Sequence, residues 1–91
     1  MAASTSIQTY VSGITIQPNE TFHYGAPGSA GNYYAFAPSN VASTVSGQQA
    51  VITVVNGWGN LPAQTNGPWC SVTNTSASAA TYDLLLLTVA A

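Results

Sequence analysis

Ninety-one residues are enough for one domain and too few for two, so residues 1–91 are read as a single unit. The chain has no Lys or Arg, two carboxylates and one histidine, which leaves it far below the roughly 25% of charged residues in an ordinary soluble domain. With no cations to neutralise phosphates or anionic headgroups, nucleic-acid partners and electrostatic attachment to membranes are excluded.

The helix formers Lys, Arg and Glu are missing or nearly so, whereas the strand and turn residues Thr, Val, Ile, Tyr, Gly, Asn and Pro dominate. The chain reads as six strands. Residues 6–16 alternate Ile7, Thr9 and Val11 on one face; Gly13 interrupts them as a bulge or bend, and Ile14 and Ile16 resume the pattern. Gln17-Pro18-Asn19-Glu20 is a turn, followed by a short strand over 21–24. Residues 25–31, rich in Gly and Pro, form a loop. Tyr33, Tyr34 and Phe36 mark an aromatic strand over 32–37, and 38–47 is a polar connection with a weak strand near 41–45.

Residues 48–56 form a strand that is apolar on both faces through Val51, Ile52, Val54 and Val55. Residues 57–67 are read as a long loop carrying Trp58 and Leu61. Residues 68–74 form a strand with Trp69, Cys70 and Val72, in which Trp69 is assigned to the core. The segment 72–76 and the residues from Thr81 to Leu84 read as a hairpin. Residues 80–89 close the chain with Leu84, Leu85, Leu86 and Leu87 in a row. Strands this short and this closely spaced predict an all-β fold, a single-domain antiparallel β-sandwich or flattened barrel of about six to eight strands. The two doubly apolar strands call for an outer cover, either another subunit or a loop of the same chain.

A domain of this size buries only roughly 60–65% of its unfolded surface. One cysteine cannot form an internal disulfide, so Cys70 either fills the core or pairs between chains. That leaves oligomerisation as the open route to stability. The longest aliphatic run, Leu84 to Leu87, has four residues, against about 20 for a membrane-spanning helix, so no membrane insertion is expected. The N-terminus shows neither a basic region nor an apolar stretch, so no signal peptide is visible. The expected location is cytoplasmic or non-classically exported, or the chain is the mature form of something longer. The sequons at Asn19 and Asn74 are read as coincidental turn sequences.

The residues offer little for catalysis. His23 with Asp83, or His23 with Cys70, has no supporting nucleophile motif, and Glu20 with Asp83 is a remote pair. No metal-ligand spacing is present, so no catalytic residue, metal site or cofactor is assigned. Asp83 lies in an apolar strand and needs partners, whether hydroxyls, amides, an edge, an interface or a ligand.

Neutral sugars suit such a chain. Their hydroxyls match Asn, Ser, Thr and backbone groups, and their C–H faces lie against aromatic rings. The first candidate region is Asn56, Trp58 and Asn60, where glycines flank the indole. The second is His23 with Asn32 and Tyr34, aromatic neighbours of a glycine-rich loop whose competing role is core filling. The sequence therefore reads as a non-enzymatic, lectin-like carbohydrate-binding protein that takes neutral glycans and gains multivalency as a homo-oligomer. The alternative is a self-assembling structural subunit of a filament, shell or decoration.

Overall fold

The computed structural model describes residues 4–29, 31–59 and 67–90, and every structural statement concerns these. They form six strands: β1 (Ser4–Ile16), β2 (Thr21–Gly25), β3 (Tyr33–Ser43), β4 (Ile52–Gly59), β5 (Gly67–Asn74) and β6 (Ala80–Ala90). Two antiparallel three-stranded sheets pack together, with orders β1-β6-β3 and β2-β5-β4. The fold is thus all-β and of the sandwich type. The molecule measures 48 × 30 × 16 Å. Its thin axis fits two layers stacked about 10 Å apart, and its long axis follows β1, whose thirteen residues span roughly 44 Å at ~3.4 Å each.

Alternation along β5 and β6 builds the core. Cys70, Val72 and Asn74 face inward from β5, and Ala80, Tyr82, Leu84 and Leu86 from β6. Ile16 and Phe36 complete the buried cluster. Tyr10 packs edge-on against Phe36 at 5.3 Å and against Tyr24 at 6.2 Å, and its hydroxyl donates to the Gly25 carbonyl. Inside the sandwich the Tyr24 and Tyr82 hydroxyls share a hydrogen bond of 2.6 Å. Burial, with that bond, raises the Tyr82 phenol above its ordinary range.

The segment from β5 to β6 is not a hairpin, because the two strands belong to different sheets. Their inner faces oppose one another across the core. The buried Asn74 makes the crossing: its Nδ2 donates to the carbonyls of Ile16 at 3.0 Å and Ser78 at 2.9 Å, and its Oδ1 accepts from the Ser76 N–H and hydroxyl. A fully satisfied buried amide of this kind replaces the strand pairing that a hairpin would supply. The sequential strands that pair are β4 and β5, with Gly59 opposite Gly67.

Two further boundaries differ from expectation. The polar stretch after Ala37 does not leave the sheet: β3 runs on to Ser43 through Pro38. Pro38 is accommodated because β3 is an edge strand. β4 begins at Ile52, and it extends to Gly59, so Trp58 stands on a strand and not in a loop.

Asp83 has a structural partner on each side. β1 bulges between Val11 and Ile14, where Gly13 adopts φ 64°. β3 is irregular between Ser39 and Ala42, where Asn40 adopts φ 51°. Asp83, on the outer face of the central strand between them, accepts the Gly13 N–H at 2.8 Å and the Asn40 Nδ2 at 2.7 Å. The amide of Asn40, then the N–H of Gly13, hold its carboxyl below the usual range. The carboxylate thus fastens two bulges in the absence of any Lys or Arg.

Candidate functional site

Asn56 and Trp58 both point inward from β4, opposite Cys70 and Pro68. Their neighbours across the sandwich are Phe36 and Tyr34, which point inward from β3. Asn56 joins the two sheet edges: its Oδ1 accepts the Phe36 N–H at 2.7 Å, and its Nδ2 donates to the Phe36 carbonyl at 3.1 Å. The side-chain amide acts here as a length of strand, which commits both of its ends. One alternation further along both strands, Trp58 meets Tyr34, with ring centres 5.8 Å apart and planes tilted by 33°.

The far side of the indole is set by a close approach. A side chain on Gly28 would come within 2.7 Å of both the Trp58 ring and the Pro68 ring, so only glycine fits in this loop position. The Tyr34 hydroxyl ties the same loop down, accepting the Ser29 N–H at 2.9 Å and the Asn32 Nδ2 at 3.3 Å. The Ser29 N–H, followed by Asn32, holds this phenol below its ordinary range. The result is a groove of about 330 Å³ lined by Asn32, Tyr33, Tyr34, Asn56, Trp58 and Pro68. Trp58 remains 48% exposed, and its indole N–H has no hydrogen-bond acceptor among the described residues. No charged side chain lines the groove.

Of the residues singled out in the sequence, Asn32, Tyr34, Asn56 and Trp58 come together here. His23 does not. It points from β2 to the opposite, outer face of the same sheet, where its Nδ1 lies 2.9 Å from the Ser71 hydroxyl. Asn60 lies outside the described residues. The sequence reading missed Pro68 in the lining of the groove; its position on β5 as the pairing partner of Trp58 could not be known before the register was.

Trp69 is not in the core. It alternates outward from β5, opposite Gly25 on one side and Gly57 on the other. A side chain on Gly57 would lie 2.3 Å from the Trp69 ring, so the indole rests on the backbone at that point. The outward side chain gives the strand its inward Cys70 and Val72, because successive residues face opposite sides.

The remaining reactive groups stay apart. His23 and Asp83 occupy outer faces of different sheets. Cys70 is fully buried, and burial pushes its thiol up to about 12. Glu20 accepts the Gln17 N–H at 2.9 Å within its turn. Among the described residues, no three metal-ligating side chains cluster, and no helix is long and apolar enough to cross a membrane. No protein-family model, curated protein or solved structure matches the chain.

Proposed function

We propose that the protein is a non-catalytic carbohydrate-binding protein of lectin type, which holds neutral sugars in the groove between Trp58 and Tyr34. The observation that carries this reading is a half-exposed indole whose N–H lacks an acceptor among the described residues, set beside a second ring in an uncharged groove. The ring stacks on a sugar's C–H face, and the indole N–H donates to a ring hydroxyl. The groove's volume lies near the lower end of small-molecule sites, which run from roughly 300 to 1,000 Å³. That suits a terminal sugar more than a long chain. The hydrogen bonds at Tyr34 and Asn56 support the reading by fixing the groove before a ligand arrives, which limits the ordering cost of binding.

A glycan array followed by calorimetry tests this. Trp58→Ala is expected to weaken the best neutral glycan by about tenfold or more while melting stays cooperative, the scale of one aromatic anchor. Binding no glycan, or binding undiminished by Trp58→Ala, would overturn the reading.

A second reading, a self-assembling structural subunit, rests on a different surface. On the outer face of the β1-β6-β3 sheet, Ile7 is 65% exposed and Tyr33 62%, with Leu85, Leu87 and Val89 in the rows between them. Such an apolar sheet face suits a like face on a second copy. The two readings are compatible, since assembly through this face leaves the groove open and multiplies it.

A further inference from the structure

We propose that the outer face of the β2-β5-β4 sheet is a second binding surface, a flat platform for an extended, uncharged polysaccharide centred on Trp69. The proposal rests on the reading of the protein as a binder of neutral glycans, and of the residues lining the Trp58 groove it shares only Gly57, whose backbone separates the two surfaces.

Three rows of outward side chains cross this sheet in register. The first is Gly25, Trp69 and Gly57; the second is His23, Ser71 and Val55; the third is Thr21, Thr73 and Thr53. The glycines on either side of Trp69 remove the side chains that would prop the ring upright, and the indole settles onto Gly57. One π face is thereby turned to the sheet, and the side chain keeps part of its surface exposed. Trp69 stays half-buried, and its indole N–H has no acceptor among the described residues. Within the other two rows, hydroxyls and imidazole are fixed by cross-strand bonds, Thr21 to Thr73 at 2.8 Å and His23 to Ser71 at 2.9 Å.

This arrangement selects its ligand by chemistry. A flat sheet offers no walls, so a small ligand would bury only one side. A polymer lying along β5 covers the ring and then the hydroxyl rows, whose outward side chains recur about every 6.8 Å along the strand. None of the nine residues in these rows is a carboxylate, Lys or Arg, so a charged polymer finds no counter-charge. A second copy of the chain finds a far more apolar surface on the other sheet, around Ile7 and Leu87.

Trp58→Phe leaves Trp69 as the sole tryptophan, so its fluorescence reports this face alone. Titration with hydroxyethylcellulose, arabinoxylan and galactomannan is expected to blue-shift the emission and protect it from acrylamide with at least one polymer, whereas mono- and disaccharides leave it unchanged. Trp69→Tyr, on the otherwise unaltered chain, is expected to lower retention by that polymer about tenfold, and His23→Ala by a smaller factor. A native melting transition in His23→Ala keeps the test valid if Trp69→Tyr folds poorly. Polymer binding that leaves Trp69 emission unmoved overturns the proposal while the Trp58 reading stands. Loss of self-association in Trp69→Tyr also overturns it, by assigning the face to a second copy. Binding of neither short nor long glycans removes both readings.

Discussion

The outer face of the β1-β6-β3 sheet carries Ile7, Leu85, Leu87, Val89 and Tyr33, whereas that of the β2-β5-β4 sheet carries Thr21, Thr53, Ser71, Thr73 and His23 around one indole, with Val55 as its one exposed aliphatic side chain. Both are outward faces of three antiparallel strands in one small sandwich. They differ because the central strands differ: β6 places leucines on both of its faces, and β5 alternates strictly. A chain with only two carboxylates and no cations has little charge repulsion to keep copies apart. The apolar face is therefore the one proposed to meet a second copy, and the hydroxyl-bearing face the one proposed to meet a neutral polymer.

The strongest way to break this comparison is a charge on each face. Leu87→Lys is expected to weaken self-association by about a hundredfold or more, since an interface rarely tolerates an unpaired buried ammonium. Thr53→Lys on the other face is expected to leave the sedimentation coefficient unchanged. Equal effects, or none from Leu87→Lys, would remove the distinction. Gly57→Val comes next. A side chain there collides with the Trp69 ring, so chemical denaturation should register a loss of about 1–3 kcal/mol, the usual scale of overpacking.

Smaller effects come from the titrating groups. The folded state holds the Cys70 proton more tightly than the unfolded chain does, with the thiol moved from 9.0 to about 12. Stability from this group is complete below about pH 9 and declines as pH rises toward 12, with the raised Tyr82 phenol adding to the same limb. Melting temperatures across that range should fall, and Cys70→Ala should shallow the decline. The smallest effect belongs to Asp83, whose carboxyl is lowered by Asn40 and Gly13. Its contribution is present above the unfolded value of 3.8 and is lost as pH falls below it. Asp83→Asn should flatten that acid limb, and thermal melts between pH 2 and 5 should register it.

The strand count and the all-β class were legible because alternation and turn residues are local signals. Gly13 was read as a bulge, and it is one, with Asp83 as its partner. The partner could not be named, since it lies 70 residues away. Pairing across the β5–β6 connection was misread for a related reason: two alternating strands around a short polar link suit a hairpin and a sheet-to-sheet crossing equally. The buried amide of Asn74 decided between them. Of the proposed site, Trp58 with Asn56 and Tyr34 with Asn32 were read as two separate regions, and their meeting in one groove was not legible because it depends on β3 and β4 facing each other across the sandwich. The grouping of His23 with Asn32 and Tyr34 and the core placement of Trp69 failed on facing. Which side of a strand a residue occupies depends on register, and a one-residue difference reverses it.

Two indole N–H resonances give the most direct test of neutral-ligand recognition, because the chain has two tryptophans and both N–H groups lack an acceptor among the described residues. A nitrogen–proton correlation spectrum is recorded while neutral glycans are added, short ones first. The Trp58 resonance is predicted to shift with a short sugar, and the Trp69 resonance to follow only when an extended polymer is present. Two resonances that stay fixed through every neutral glycan, or that move instead with a phosphate-bearing polymer at moderate salt, would contradict the account.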